Sequence, residues 1–509
     1  MPDVTPVRPS NPPQTRLRTV AGWISDVLVE MRGSDPDRLV TGLTLSSGAV
    51  LPGDLYAALP GSRAHGADYA ADAVRAGAVA VLTDPAGADV CAEHGVPVLV
   101  VHEPRAVLGR LAAAIYGNPA SDLRLVAVTG TAGKTTTTRL AEAAVNRTGR
   151  SAAVVGTVGT GIGGLDVPGG LTTPEAPDLH ALFAVMRERH VQVCAMEVSS
   201  HALVMGRVDG VRYDVAGFTN LGRDHLDFHT DMEDYYRAKA MLFTPERARR
   251  GLVNLDDEYG RRLVADATIP VRTFSVNGAD ADWTVRDVVS APTGSRFTVH
   301  APDGRSFPGA VALPGGYNIA NALCAIAALG ELGLDAAAVA EAVGQVSGVP
   351  GRLERIDAGQ DFLAVVDYAH KPDSVAAALE ALRPETTGRL VIVLGAGGDR
   401  DPGKRPLMGE VAARLADVLV VTDDNPRSED AAAIRAAILE GARQVPDPER
   451  AELHEVGDRR AAIRLAVSLG HAGDTVVVAG KGHERGQLVN GVTHDFDDRD
   501  VLREELAVR

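Results

Sequence analysis

The feature that most constrains this chain is a short glycine loop set between an apolar run and a helical run. Leu125-Val126-Ala127-Val128 reads as a buried strand, and the stretch from about Thr137 to Asn146 reads as a helix. Between them lie Thr129, Gly130, Thr131, Ala132, Gly133, Lys134, Thr135 and Thr136. Strand, glycine loop, Lys-Thr and helix together make a phosphate cradle. Glycine lets backbone N–H groups approach phosphate oxygens. The helix N-terminus adds positive potential, Lys134 a full charge, and Thr135 a hydroxyl suited to Mg²⁺. The spacing Gly130-x-x-Gly133-Lys134-Thr135 is shorter than the usual Walker pattern, which narrows the field to a smaller group of nucleotide users.

Composition sets the outer limits. A chain of 509 residues is too long for one core, so roughly two to four domains are expected. Apolar content of 45% with 23% charge is ordinary for a globular protein, and 4% aromatics suits Ala/Val-rich α/β layers. A net charge of −16 argues against a nucleic-acid partner but leaves room for an anionic small substrate in a local basic pocket. Cys91, Cys194 and Cys324 are isolated in apolar surroundings and read as buried free thiols. No apolar run is long enough to span a bilayer. Met1 to Arg18 holds five prolines and no apolar core, so it reads as a disordered tail and not as a signal peptide. The expected location is cytoplasmic and the expected state a monomer.

Past the tail (1–18), the pattern divides into three α/β units: 19–118, 119–349 and 350–509. The first has short strands at Ala78–Leu82 and Val96–Val101 with an alanine-rich helix between Gly66 and Ala76. The second opens on the phosphate loop. It continues with strands near 152–155, 191–196, 213–219 and 251–254, alternating with helical patterns, so a mostly parallel sheet is expected. A β-rich insertion over about 271–313 follows, then a helix opened by Gly315–Asn321. Pro350-Gly351-Arg352 reads as a hinge. The third unit repeats strand, polar loop and helix four times, the pattern of a doubly wound, Rossmann-like sheet. Its strands at 362–366, 390–394, 418–422 and 475–479 should lead into Asp367–His370, Gly395–Asp401, Asp423–Arg427 and Gly480–Glu484. Ligands of open parallel sheets bind outside the carboxyl ends of the strands, so these four loops read as one site and not as four solvated turns.

In the middle unit, Glu197–His201 and Asn220–His229 follow strands that should flank the phosphate-loop strand. Glu197 and His225 are thereby placed for Mg²⁺ beside bound phosphates. Lys239, within Tyr235–Phe243, reads by itself as an ordinary helical lysine.

The whole set resembles the Mur ligase family, and within it the branch that adds the third residue of the peptidoglycan stem peptide. The motifs that carry the resemblance are Gly130–Thr136, Thr172-Thr173-Pro174, Glu197–His201, Asn220–His229, Lys239, Gly316–Asn321, Pro350–Arg352, Asp367–His370, Asp424–Arg427 and Gly480–Glu484. The resemblance implies a first domain for a uridine nucleotide, a middle ATPase domain and a third domain for the incoming amino acid. The implied reaction is ATP-driven amide formation through an acyl phosphate, with Mg²⁺. The implied substrates are UDP-MurNAc-dipeptide, diaminopimelate and ATP.

The resemblance also implies roles for residues. Lys134, Glu197, His225 and a carbamylated Lys239 carry the chemistry; Thr135, Glu197, His225 and Lys239 hold metal. Gly130–Thr136, Asn318, Asn321, Arg352, Asp367 and His370 bind ATP. Leu45, Ser47, Ser62, Arg63, Ala64, Thr172, Thr173, Ser199 and Arg207 bind the nucleotide-linked dipeptide. Arg400, Asp424, Asn425, Pro426, Arg427, Gly480 and Glu484 bind diaminopimelate, Arg427 taking the distal carboxylate that lysine lacks. The sequence departs from the family pattern at Ser46-Ser47-Gly48, Ala132 and Met205. Two other readings stay open at this point: a folylpolyglutamate-type ligase of the same fold, and a non-catalytic nucleotide-binding regulator.

Overall fold

The computed structural model describes residues 7–33, 35–61, 64–167, 170–291 and 293–509. Three α/β layers follow one another along the chain, each built on its own sheet. The first sheet has five strands in the order Leu28–Arg32, Val98–Val101, Ala80–Thr83, Asp54–Ala58 and Gly42–Thr44. All its pairings are parallel except the Leu28–Arg32 edge. Its core joins Leu43, Leu55, Leu82 and Leu99 to Leu108 and Leu111 of the helix Pro104–Ile115.

The expected disordered tail is corrected for residues 7–18. The N–H groups of Ser10 and Asn11 both donate to the Glu188 carboxylate at 2.8 Å. Arg8 reaches Asp178 at 3.5 Å, Thr15–Arg16 pairs with Leu39–Val40, and a helix begins at Leu17. The reason is local: acidic acceptors on the helix Ala176–Glu188 satisfy the segment's polar groups, and its prolines leave less entropy to lose on docking. The part before residue 7 lies outside the described residues.

The middle sheet has eleven strands. Val193–Glu197 and Val215–Phe218 lie on either side of Arg124–Thr129, parallel to it, with Glu197 opposite Val128 and Phe218 opposite Thr129. The sequence reading of those three strands as neighbours therefore holds, and their carboxyl ends deliver three loops to one place. The β-rich segment is not separate. Val271–Ser275 pairs with Gly251–Asn254, and Trp283–Ala291, Gly294–His300 and Ser306–Val311 extend the same sheet. The helix after the phosphate loop starts at Lys134 rather than Thr137 and runs to Arg147. The left-handed Gly133, at φ +86°, ends the loop there, so the amides of the first turn face it. Leu140, Ala141 and Val145 of this helix pack with Leu323 and Ile326 of the helix Gly316–Glu331 in one core. The three cysteines are free and buried.

The third sheet runs Glu354–Arg355, Leu363–Asp367, Thr475–Ala479, Leu390–Leu394, Val418–Val421 and Glu452–Glu455, parallel throughout except for the Glu354–Arg355 edge. Four of its strands end at the four polar loops. Two of those ends are tied by one fully buried ion pair. Arg459 donates to Asp498 through Nε at 2.8 Å and Nη2 at 2.7 Å, and both side chains are wholly inaccessible. The same guanidinium donates to the carbonyls of Ala479 at 2.9 Å and Asp423 at 3.3 Å, where the Gly480 and Asp424 loops begin.

Removing one partner of a buried pair strands the other charge, which costs about 3–5 kcal/mol. Asp498→Ala is expected to destabilise the third unit by that amount in chemical denaturation followed by circular dichroism. An unfolding profile identical to wild type would show that the pair contributes nothing.

Candidate active site

The phosphate loop is held from three sides. The Ala132 N–H donates to Asn220 Oδ1 at 2.9 Å, and the Thr219 hydroxyl donates to the Ala132 carbonyl at 2.7 Å. The Gly222 N–H donates to Thr131 Oγ1 at 3.0 Å, and Tyr235 lies 3.1 Å from that hydroxyl. From the helix Gly316–Glu331, Asn321 comes so close that a Cβ on Gly133 would sit 2.3 Å from its Oδ1. Asn321 in turn donates to Asn318 Oδ1 at 3.1 Å, and Asn318 to the Pro314 carbonyl at 2.7 Å.

Two lysines share this loop. Lys134 Nζ folds back onto the carbonyls of Gly130 at 2.8 Å and Thr131 at 3.1 Å. Desolvation pushes its pKa down to about 8. Lys239 is 1% exposed beneath the loop. It donates to the Gly130 carbonyl at 2.9 Å and lies over the Tyr235 ring. Burial, reinforced by the Lys134 charge, drives its pKa well below the usual lysine range.

Glu197, also 1% exposed, accepts from the Thr157 N–H at 2.8 Å and the Thr157 hydroxyl at 3.1 Å. His225, in a left-handed backbone at φ +53°, has Nε2 2.9 Å from Asp224 Oδ2. The same carboxylate oxygen takes Lys371 from the third unit. Burial would raise the Asp224 pKa, but His225 and Lys371 outweigh it and hold the carboxyl well below the usual range. Burial keeps His225 below its ordinary value despite Asp224. His201 lies 4.8 Å from His225, ring centroid to ring centroid, and stacks on Phe228.

Two connected clefts run between the middle and third units. One, of about 1250 Å³, is lined by Thr131–Thr136, Glu197, Ser199, Arg207, His225, Asn318, Asn321, Arg352, Asp367 and His370. The other, of about 1420 Å³, is lined by Arg400, Asp424, Asn425, Arg427, Gly480 and Glu484 of the third unit. Thr172, His201, His225, Lys371 and Arg400 line both. Among the described residues, three polar side-chain contacts cross between the units: Arg352 donates to Thr135 Oγ1 at 3.0 Å, Lys371 meets Asp224, and His483 Nε2 lies 3.1 Å from the Thr157 carbonyl.

At the hinge, Asp367 is spent on the backbone, accepting from the N–H groups of Leu353 at 2.7 Å and Ala369 at 2.8 Å. In the second cleft, Arg427 has φ +54° and donates to the Gly398 carbonyl at 2.6 Å. Asn425 bridges Glu484 at 2.9 Å and the fully buried Lys481 at 3.0 Å. The Tyr368 hydroxyl donates to Glu484 at 3.3 Å.

Not every candidate joins the clefts. Leu45, Ser47 and Ala64 belong to the first unit and line neither; Ser62 and Arg63 lie outside the described residues. Thr173 is fully buried and braces the backbone, donating to the Glu197 carbonyl at 2.9 Å. Pro426 shapes the Asp424–Arg427 loop without facing either cleft. Arg207 is held by Glu175 at 2.9 Å. Residues that sequence reasoning missed are Thr157, Lys371 and His483. Lys371 follows Asp367–His370 directly and His483 lies within Gly480–Glu484, so their motifs held the signal; Thr157 has none.

Among the described residues, no three His, Cys, Asp or Glu side chains converge as a metal cage. Mg²⁺ needs none, because it takes one or two carboxylates and fills its octahedron with phosphate oxygens and water. The carboxylate of Glu197, the hydroxyl of Thr135 and the imidazole of His225 line the cleft beside the loop, and that donor set fits such an ion.

A glycine phosphate loop facing arginine-bearing loops across a hinge defines a nucleotide-driven ligase of three units. Models described as the Mur ligase family catalytic domain, the Mur ligase middle domain and the Mur ligase glutamate ligase domain match residues 39–116, 128–329 and 351–482. The chain belongs to the Mur ligase family. It is 55% identical to a Streptomyces avermitilis protein named UDP-N-acetylmuramoyl-L-alanyl-D-glutamate--2,6-diaminopimelate ligase, over 98% of each chain. A Corynebacterium glutamicum protein of the same name is 50% identical over 92% of each. A solved structure of a ligase with that name is 32% identical, with a TM-score of 0.66 over 97% of this chain and 99% of its own.

Two outcomes follow from the buried lysines. Lys239→Met removes a buried amine that has no carboxylate partner among the described residues, so it is expected to raise the thermal midpoint of the ligand-free protein by at least about 2 °C. A lower midpoint would contradict the burial argument. For Lys134 the folded pKa of about 8 lies below the ordinary 10.5, so the unfolded state binds more protons between those values. Stability from this group therefore rises with pH across that window. Denaturation midpoints at stepped pH should show a shallower rise in Lys134→Met than in wild type.

Proposed function

We propose that this chain joins 2,6-diaminopimelate to UDP-N-acetylmuramoyl-L-alanyl-D-glutamate, using ATP. The single observation that carries the reading is the continuous cleft. It places the phosphate loop at one end and Arg400, Asn425, Arg427 and Glu484 at the other, in a chain 55% identical over its length to a ligase of that name. The dipeptide carboxylate attacks the γ-phosphorus, giving an acyl phosphate and ADP; the amine then displaces phosphate through a tetrahedral intermediate. Lys134 leaves the Gly130 and Thr131 carbonyls to meet the transferring phosphoryl group. The first-turn amides from Lys134 onward face the same oxygens. Asn318, Asn321 and Arg352 lie on the adenosine side.

Mg²⁺ held by Thr135, Glu197, His225 and Lys239 would screen the phosphoryl charge. For that, the neutral Lys239 amine adds to CO₂, forming an N–C bond and releasing a proton. Thr172, Ser199 and Arg207 face the dipeptide, and Leu45, Ser47, Ser62, Arg63 and Ala64 the uridine diphosphate. No helix among the described residues is long and apolar enough to cross a membrane. The reading makes the chain a monomeric enzyme of cytoplasmic precursor synthesis.

Amino-acid-dependent ADP release with meso- and LL-diaminopimelate, lysine and ornithine tests the reading; turnover with none of them would overturn it. Arg427 is the selector, because a bidentate pair with the distal carboxylate is worth roughly 1.5–3 kcal/mol. In Arg427→Ala, kcat/KM for diaminopimelate is expected to fall about tenfold to a hundredfold while that for lysine changes little. An equal loss for both would move Arg427 from selection to support of the fold.

A further inference from the structure

Thr157 stands between the amino-acid loop and the Glu197 carboxylate. Its N–H and hydroxyl take one carboxylate oxygen each, at 2.8 and 3.1 Å. With that hydroxyl donating, the Thr172 hydroxyl 3.0 Å away must donate to Thr157 Oγ1. The carbonyl of Thr157 lies 3.1 Å from Nε2 of His483, which belongs to the third unit and immediately precedes Glu484. Nε2 is therefore the protonated nitrogen, and Nδ1, buried without a partner, is the bare one. The approach is tight on the other side too: a Cβ at Gly156 would sit 2.3 Å from Glu197 Oε1. The carboxylate thus has little freedom except through Thr157.

We propose that His483 and Thr157 are positioning residues that make the orientation of Glu197 depend on the docking of the Gly480–Glu484 loop. The inference rests on the ligase reading for what Glu197 then does, but the linkage itself is a property of the fold. When the loop docks, His483 fixes the Thr157 peptide, and that residue sets both carboxylate oxygens. The loop that faces the amino acid and the carboxylate beside the phosphates then act together, so phosphoryl transfer is favoured when the acceptor side is assembled.

The test is a double-mutant cycle on the full chain with His483→Ala and Thr157→Val, supported by hydrogen exchange. Each single change removes one link and is expected to lower kcat about tenfold with KM for diaminopimelate unchanged. The double variant is expected to fall clearly less than about a hundredfold, because the hydroxyl that Thr157→Val removes is one of the two donors that His483 steadies, the N–H being the other. His483→Gln, which keeps an amide donor, and Thr157→Ser, which keeps the hydroxyl, should recover most of the lost rate and so exclude misfolding as the cause. Independently of turnover, His483→Ala is expected to speed exchange of the Thr157 amide several-fold in the ligand-free protein. Additive losses, a rise in KM with kcat unchanged, or unaltered exchange at Thr157 would each overturn the linkage. Wild-type turnover tests the ligase reading separately, and exchange tests the linkage whether or not that reading stands.

Discussion

The cleft depends on the way the 130–136 loop is gripped. Its own sequence supplies little beyond small size and one charge. Its shape comes from Thr219, Asn220 and Gly222 in the loop that follows the strand Val215–Phe218, from Asn321 on the helix Gly316–Glu331, and from Lys239 below. Because those partners come from three separate elements, the loop takes its shape from tertiary packing and not from its own sequence. Preorganisation of this kind lets backbone donors meet phosphate without reorganising at the moment of reaction. The third unit is then referred to the same loop, since Arg352 ends on Thr135.

The interior accepts a penalty for this arrangement. A lysine with 1% exposure, held by one carbonyl and one aromatic face and by no carboxylate among the described residues, is unfavourable in a core otherwise filled by Val, Ala and Leu. Nearby, the half-buried His201 and His225 and the buried His229 pack ring on ring, and burial holds the His201 pKa down to about 4. Local rules strained in one place mark where function and stability pull apart. The Arg459–Asp498 pair shows the other case: a buried charge fully satisfied, whose remaining donors set the ends of two strands.

Much of this was legible in the chain. Apolar runs followed by polar glycine loops located the parallel strands, and strand-to-loop order put Glu197 and His225 next to the phosphate loop before any coordinates. What stayed hidden was pairing over long separations. Nothing in the residues around Thr157 marks it, because its partners Glu197 and His483 are 40 and 326 positions away. The strands from Val271 to Val311 looked like an insertion because hairpin patterns do not reveal which sheet they join. Residues 7–16 looked disordered because their acceptors, Asp178 and Glu188, lie far along the chain. Lys239 was visible only through resemblance; a lysine in a helix carries no sign that the helix will be covered.

Charge distribution completes the physical picture. The chain carries a net −16, which would repel anionic substrates from most of its surface. On the cleft walls cations and carboxylates stand nearly in balance, so the negative excess is relieved there. Lys134, Arg352 and Lys371 stand at the phosphate end, with Arg223 and Arg400 also on its walls. Lys404 and Arg427 continue the row into the other cleft. Several of these cations are only partly neutralised by the protein: Arg427 and Arg400 donate to carbonyls, and Lys134 to the loop itself. A set of cations held by dipoles rather than by carboxylates is a set waiting for anions. Against an acidic exterior, those cations give phosphate and carboxylate groups a place to collect in the clefts.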